Sequence, residues 1–410
     1  MYNLQSSSYR FLLMDTLNVM LKDDALQRIA IAMAEAGSVR PQVVILADDL
    51  TGAGDSAASF LGQGRRAAVW LSGSGFSLGA EVWSFSTETR NEPPAVAADC
   101  IGTFTERLRA LLPAAIFFKK IDSAGRGNFA EEMRAVHEAM GAELTICAPA
   151  FPEAGRCVVN GSLEIRDAAG GSAKVELFDL FSAEMVDEVE LIGCGTDRYV
   201  ERAMLTAVEE GKRLLLCDAG SSADLERIVR VASGLPVRVL WAGSAGLARE
   251  LGRSLDGGDA GGVMRGMSKS VEDERSMRKG GRSLIFCGTG HPLTQLQLEQ
   301  LSEAESEAVG GSVVAHVRCG VSNDGELRGM FEDAGPVSSL ILTGGETAAM
   351  VLRALGAEAI EIAGEVAMGV PWGVLHGGLA SGCVVVTKSG GFGDRHALVD
   401  AVHFCQGVSS

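Results

Sequence analysis

The sequence has no basic excess: 36 lysine and arginine residues stand against 53 aspartate and glutamate residues, a net charge of −17. That balance excludes the broad basic surface that nucleic acid or an anionic membrane requires. A local basic cleft for a small anion stays compatible with it. Paired cysteines are missing too. The nine cysteines are scattered without a C-x-x-C pair, and Cys147, Cys217, Cys287 and Cys383 lie inside apolar runs. This usage fits a reduced, cytoplasmic protein better than a disulfide framework or a zinc site. No apolar run approaches the length of a membrane span. The opening MYNLQSSSYRFLLMDTLNVMLKDD lacks the basic start and apolar core of a signal peptide, so none is expected. G-x-x-x-x-G-K-[ST], H-E-x-x-H and zinc-spaced Cys/His groups are also absent, which removes a Walker-type loop and a zincin centre. There is no repeat of solenoid period.

What is present is an ordinary globular composition, 47% hydrophobic and 22% charged, over 410 residues. That length exceeds what one core usually organises and predicts two domains. Residues 1–40 are expected to form a peripheral helical extension, because DDALQRIAIAMAEAG has helical period and a glycine stop. Over 41–252, apolar runs such as VVILAD, EVWSFST, AIFFKKID, LTICAPA and RLLLCDA alternate with amphipathic segments. VVNGSLEIRD breaks that rhythm and predicts a hairpin. Residues 253–282 are glycine-rich and charged without apolar periodicity, and predict a linker. A second set follows over 283–410, with SLIFCGTG, SVVAHV, SSLILTGGET and GCVVVTKSGGFG. The expected fold is α/β: two domains, each with a largely parallel β-sheet flanked by helices, and a ligand cleft between them.

In such sheets ligands collect where strands end and helices begin. Glycine, 52 residues in all, clusters there. ADDLTGAGDSA (47–57) places Asp48 and Asp49 at a strand end, then Gly52-Ala53-Gly54 and Asp55. Such a group can hold a hydroxyl, a Mg²⁺ ion or developing negative charge; the plainer reading is a helix cap and a solvated turn. FFKKIDSAGRGN (117–128) ends an apolar strand in Lys119 or Lys120, Arg126 and Asn128, which suit a carboxylate and hydroxyls. Arg90 and Arg156 follow other strands and would extend a basic pocket. In the second half, CGTGHPLT (287–294), LTGGETA (342–348) and TKSGGFG (387–393) are glycine turns before helices, where backbone N–H groups favour phosphate. Gly288-Thr289-Gly290 starts like a dinucleotide fingerprint, but Leu293 fills the third glycine position.

The ordered blocks ADDLTGAGD, KKIDSAGRGN, APAFPEAGR, AGSAGLA, LTGGETA and KSGGFG resemble the four-carbon acid sugar kinase family, which includes 3-oxo-tetronate and D-threonate kinases. The resemblance runs from about Val43 into the C-terminal region. It implies an acid-sugar domain in front and a nucleotide domain behind. ATP, with Mg²⁺ on its phosphates, would then phosphorylate the terminal hydroxyl of a threonate-, erythronate- or 3-oxo-tetronate-type acid. Carried over by motif, the catalytic carboxylate would be Asp49 or Asp55. The acid would be held by Asp48, Arg90, Lys120, Asp122, Ser123, Arg126 and Asn128. The ATP side would be Thr289, Gly344, Gly345, Glu346, Thr347, Gly390 and Gly391. This chain has CGTGHPLT, SAGRGN and GGFG where the family usually resembles SGSxSxxT, STLRGN and GNFG. Small molecules are the expected partners, with no nucleic acid or membrane, and a homo-oligomer is compatible. The alternatives are an NAD-dependent dehydrogenase of a small hydroxy acid and a non-catalytic sugar-acid sensor.

Overall fold

A computed structural model describes residues 42–72, 79–166, 170–256, 281–307, 312–317 and 322–407. The expected extension, 1–40, lies outside the described residues. So does most of the expected linker; residues 253–255 of it close a helix, Ala245–Leu255.

The first half contributes β1 (Val43–Ala47), β2 (Ala67–Trp70), β3 (Val82–Ser86), β4 (Ile116–Lys120) and β5 (Leu144–Ala148). It continues with β6 (Arg156–Val159), β7 (Ser162–Arg166), β8 (Ser172–Glu176), β9 (Val189–Ile192), β10 (Leu214–Cys217) and β11 (Val239–Gly243). The second half supplies β12 (Arg282–Cys287), β13 (Ser312–His316), β14 (Val337–Thr343), β15 (Ala359–Ala367), β16 (Val370–His376) and β17 (Val384–Lys388). The hairpin expected from VVNGSLEIRD is β6–β7, which with β8 forms a small antiparallel sheet.

All other strands belong to one fourteen-stranded sheet, in the order β13-β12-β14-β17-β16-β15-β2-β3-β1-β4-β11-β5-β10-β9. Each half carries the expected parallel block, and the blocks join edge to edge. The joint is antiparallel: β17 with β16, β16 with β15, and β15 with β2. Strands β1, VVILA, and β5, LTICA, are buried along their whole length; helices cover both faces of a parallel sheet, so their apolar runs need no alternation. The helix Leu50–Ser59 is built largely of small residues and is buried on nearly all sides. It fits between the two halves, with Gly54 against Pro371 and Thr387. Among the described residues no helix is long and apolar enough to cross a membrane.

Strand β4 ends in two lysines that face opposite sides of the sheet, as the period of two dictates. Lys119 points away from the loops expected to bind ligand. Its Nζ lies 2.7 Å from Glu132 Oε2, with both side chains 0% exposed, and it also donates to Lys120 O at 2.9 Å. Thr89 Oγ1 donates to the other carboxylate oxygen, Glu132 Oε1, at 2.5 Å. Lys119 is therefore a strut between β4, the helix Phe129–Met140 and the loop before Arg90, rather than a ligand-gripping cation. Glu132→Ala strands the Lys119 charge and should cost about 3–5 kcal/mol in a denaturant titration. Pairing it with Lys119→Met should recover most of that loss.

Candidate active site

The site follows from strand register. In the front half Ala47 pairs with Ser86 and Leu46 with Lys119, so Asp48–Asp49, Thr87–Arg90 and Ile121–Asp122 leave the sheet side by side. In the rear half Cys287 pairs with Thr343, and Thr343 with Lys388. The three glycine turns therefore also emerge together. Both groups of loops face a single cavity of about 550 Å³, within the usual range for small-molecule sites. Asp48, Asp49, Arg90 and Arg126 line it from the front half; Thr289, Gly344, Gly345, Glu346, Thr347 and Gly390 line it from the rear. Trp70, Leu71, Met350, Leu352 and Ala357 give it an apolar wall.

Arg90 is the hub of the front loops. Its Nε and Nη2 donate to Asp48 at 2.9 and 2.8 Å, and its Nη1 and Nη2 donate to Asp49 at 2.7 and 2.8 Å. Asp122 Oδ2 lies 3.5 Å from the same guanidinium. Asp49 also caps the helix Leu50–Ser59, accepting from Gly52 N at 2.9 Å and from Thr51 Oγ1 at 2.7 Å. Each Asp49 oxygen thus accepts two hydrogen bonds. Burial opposes ionisation of Asp48 and Asp122. The Arg90 charge nevertheless holds Asp48 below the usual carboxylate range, and Arg126 and Arg90 do the same for Asp122. Arg126 donates to Asp122 at 2.9 and 2.7 Å. The expected basic pocket is therefore a lattice of three aspartates and two arginines in which both arginines are already paired. Arg126 has the spare capacity, with its side chain 52% exposed against 7% for Asp122.

Other expected residues sit behind this lining. Asn128 Nδ2 donates to the carbonyls of Thr89 and Glu92 at 3.2 and 2.8 Å, so it shapes the Arg90 loop. Ser123 is buried beside Asp122. Lys120 Nζ packs against Gly52, at the start of the Leu50–Ser59 helix. Asp55 lies one turn further in, and its Oδ1 has no hydrogen-bond partner among the described residues. Burial pushes its carboxyl up to about 7 against the opposing charge of Lys120.

Two glycines are dictated by the rear loops. Gly344 adopts φ +96°, a backbone that side-chain-bearing residues avoid. Gly345 opens the helix Gly345–Ala354, and a Cβ there would come within 2.3 Å of Asp49 Oδ2. The front carboxylate and the rear helix start touch. Thr289 packs on both Gly344 and Gly390, while Gly391 meets the His291 ring outside the cavity lining. Leu293, at the position where a dinucleotide fingerprint has glycine, is buried. Burial raises the carboxyl of Glu346.

Two lining or near-lining residues, Glu88 and Lys388, escape a reading of the sequence, while Arg156 was expected in the pocket. Glu88 lines the cavity with φ +54°, an unusual backbone for a residue other than glycine. It accepts from Ser86 Oγ at 2.5 Å, and burial pushes its carboxyl up to about 8. Arg156 reaches from the front half to stack 4.7 Å over the Phe392 ring. Lys388 lies under the third glycine turn. Only the turn's own motif could have drawn notice to Glu88 and Lys388.

The comparisons with known proteins follow this division. A family model described as a sugar-binding N-terminal domain matches residues 43–251. One described as a nucleotide-binding C-terminal domain matches residues 325–398. The D-threonate kinase of Bordetella bronchiseptica is 31% identical over 395 residues, covering 88% of this chain and 96% of that protein. The 3-oxo-tetronate kinase of Pseudomonas fluorescens is 27% identical, covering 87% of this chain and 95% of that protein. Among solved structures, a Haemophilus influenzae protein shares the fold at a TM-score of 0.62 and 18% identity, over 89% of this chain and 99% of that one. The chain belongs to the four-carbon acid sugar kinase family and is an enzyme of the kinase class.

Proposed function

We propose that this kinase uses ATP to phosphorylate the terminal hydroxyl of a four-carbon sugar acid of the threonate, erythronate or 3-oxo-tetronate type. One observation carries the reading: an acidic–basic lattice from one half and phosphate-type glycine turns from the other line the same cavity, with Asp49 against Gly345. Holding a hydroxyl and a triphosphate in one cavity supplies the positioning on which phosphoryl transfer mainly depends. The relatives named for D-threonate, D-erythronate and 3-oxo-tetronate support this substrate class.

In this reading the acid's carboxylate meets Arg126, the arginine with open capacity. The phosphates lie on the turns of Thr289, Gly344–Thr347 and Gly390, and the adenine lies toward the apolar wall. Among the described residues no cluster of three His, Cys, Asp or Glu side chains is built to hold a metal. Mg²⁺ would therefore arrive on the triphosphate, with Glu346 the lining carboxylate beside the turn; its contribution would be to neutralise phosphate charge. Asp49, whose oxygens are already engaged, orients the hydroxyl side through Arg90. Asp55 has the open oxygen and the proton affinity suited to a base near neutral pH.

A coupled ATP-consumption assay over threonate, erythronate and 3-oxo-tetronate isomers tests the function. Turnover is expected with at least one of them, and ATP use with none would end the reading.

Asp55 allows a second test, through pH dependence. Its carboxyl titrates near 3.8 in ordinary surroundings and at about 7 here. The folded state thus binds the proton more tightly, and the stability Asp55 contributes is lost as pH climbs from about 4 to above 7. Asp55→Asn cannot ionise, so above pH 7 it should be more stable than the parent by on the order of a few kcal/mol. If Asp55 is the base, turnover of the parent rises with pH through about 7, and Asp55→Asn should be slower by about 10²–10⁴-fold with that limb flattened. A stable variant at full speed would remove Asp55 from the mechanism.

A further inference from the structure

We propose that Lys388 is a positioning residue for a phosphate group. Its buried ammonium turns the peptides of the Ser389–Phe392 loop so that their N–H groups face the cavity. The inference rests on the nucleotide reading given above.

Lys388 is the last residue of β17 and is 1% exposed. Its Nζ lies 3.1 Å from Ser389 O and 3.4 Å from each of Gly390 O, Phe392 O and Thr294 Oγ1. Three carbonyls of one short loop are thus drawn toward one ammonium. Two side chains of the helix Pro292–Glu307 reinforce the pull. Thr294 Oγ1 donates to Gly390 O at 2.9 Å, and Gln297 Nε2 donates to Phe392 O at 3.2 Å. A trans peptide is planar, with its N–H opposite its C=O. Turning the Ser389 and Gly390 carbonyls inward therefore turns the N–H groups of Gly390 and Gly391 outward. Ser389 and Gly390 line the cavity, and Lys388 is not part of its lining. No hydrogen bond from either N–H is made to another described residue. Two adjacent uncommitted donors, one of them on the lining residue Gly390 and the other on the residue next to it, form an anion cradle at the cavity's edge.

The charge has a separate role. Among the described residues no carboxylate lies within ion-pair distance of Lys388, and its partners are all neutral. A turn that only needed its carbonyls satisfied could use more donors like Thr294 and Gln297, without the desolvation cost of a buried cation. A cation placed behind outward-facing N–H groups is offset when an anion seats on the other side of the loop. Lys388 touches no bound phosphate in this geometry; it acts through the loop and through its field.

The test compares two ligands that differ only in their phosphates. ADP and adenosine are titrated into the full chain and into Lys388→Met, with folding checked by thermal melting. ADP binding should weaken roughly 10–100-fold, the range for losing hydrogen bonds to a charged group, while adenosine binding changes by less than about twofold. In Lys388→Ala, added methylammonium should restore part of the ADP affinity and leave adenosine unmoved. If Lys388→Met does not fold, Thr294→Val frees Gly390 O from one of its two donors and should give a smaller loss, again confined to ADP. An equal loss for both ligands in a folded variant, or no loss, overturns the positioning role alone. Parent protein that binds neither ligand overturns the nucleotide reading, and this inference with it.

Discussion

Between β2 and β15 four residue pairs, Ala67↔Ile362 through Trp70↔Ala359, carry the main chain of one half into that of the other. Side chains lock the ladder on both flanks. Arg66 donates twice to Glu361 Oε1, at 3.1 and 2.7 Å, and Ser72 Oγ donates to Ala357 O at 2.9 Å. The relative placement of the halves is thus a property of strand pairing in the middle of a sheet. Three antiparallel steps between β2 and β17 reverse the strand direction, which in a flat sheet would put the two sets of carboxyl ends on opposite edges. Sheets are not flat. Six steps separate β1 from β14, and at about 20–25° each the twist amounts to roughly 120–150°. That rotation undoes most of the reversal, and the ends of β1, β3 and β4 come to face those of β12, β14 and β17 across one cavity.

Once the ends face each other, charge has to be managed at close quarters. Asp48, Asp49 and Asp122 leave adjacent strands together, and three carboxylates so close would repel one another and resist ionisation. Arg90 resolves this by bridging all three, and its loop is held by Asn128 and by Thr89 on Glu132. The buried Lys119–Glu132 pair is the foundation of that loop, which ties the stability of the front half to the geometry of the site. The saturated hydrogen bonding of Asp49 has a consequence for mechanism: a carboxylate with two donors on each oxygen is a rigid fixture. Rigidity is what the contact with Gly345 needs, because any side chain there would displace the carboxylate.

Much of this was legible in the sequence, for a physical reason. Parallel strands buried on both faces read as apolar runs, and the loops after them hold polar residues that packing does not require. Hence ADDLTGAGD, LTGGETA and the other turns announced themselves. Pairing did not. The charges of Arg90 and Arg126 are visible in the sequence, but their commitment to aspartates on neighbouring strands is not. Adjacent Lys119 and Lys120 look equivalent until the strand's two faces are known. The β15–β16 hairpin, AIEIAGEVAMGVPWGVLH, went unread, and its union with a strand some 290 residues earlier leaves no local trace. Glu88 was invisible because its positive φ comes from the loop's tertiary surroundings rather than from its residue type.

Two buried ionisable groups, one in each half, sit at positions that disfavour their charge. Asp55 is a buried acid with an oxygen left open, and Lys388 is a buried base gripping neutral carbonyls. Burial pushes the first up to about 7 and the second down to about 8, so both are drawn toward neutrality. A core optimised for stability alone would hold neither, because an apolar residue of similar volume would avoid the desolvation cost. Phosphoryl transfer from a nucleotide to an alcohol asks for a proton acceptor on the acceptor side and positive potential behind the phosphates. The two discomforts match those two requirements in sign, and Asp55 belongs to the first half and Lys388 to the second. The charges that act on Asp55 are those of Lys120, Glu365, Arg249 and Asp49 and not that of Lys388, so the two groups do not neutralise each other.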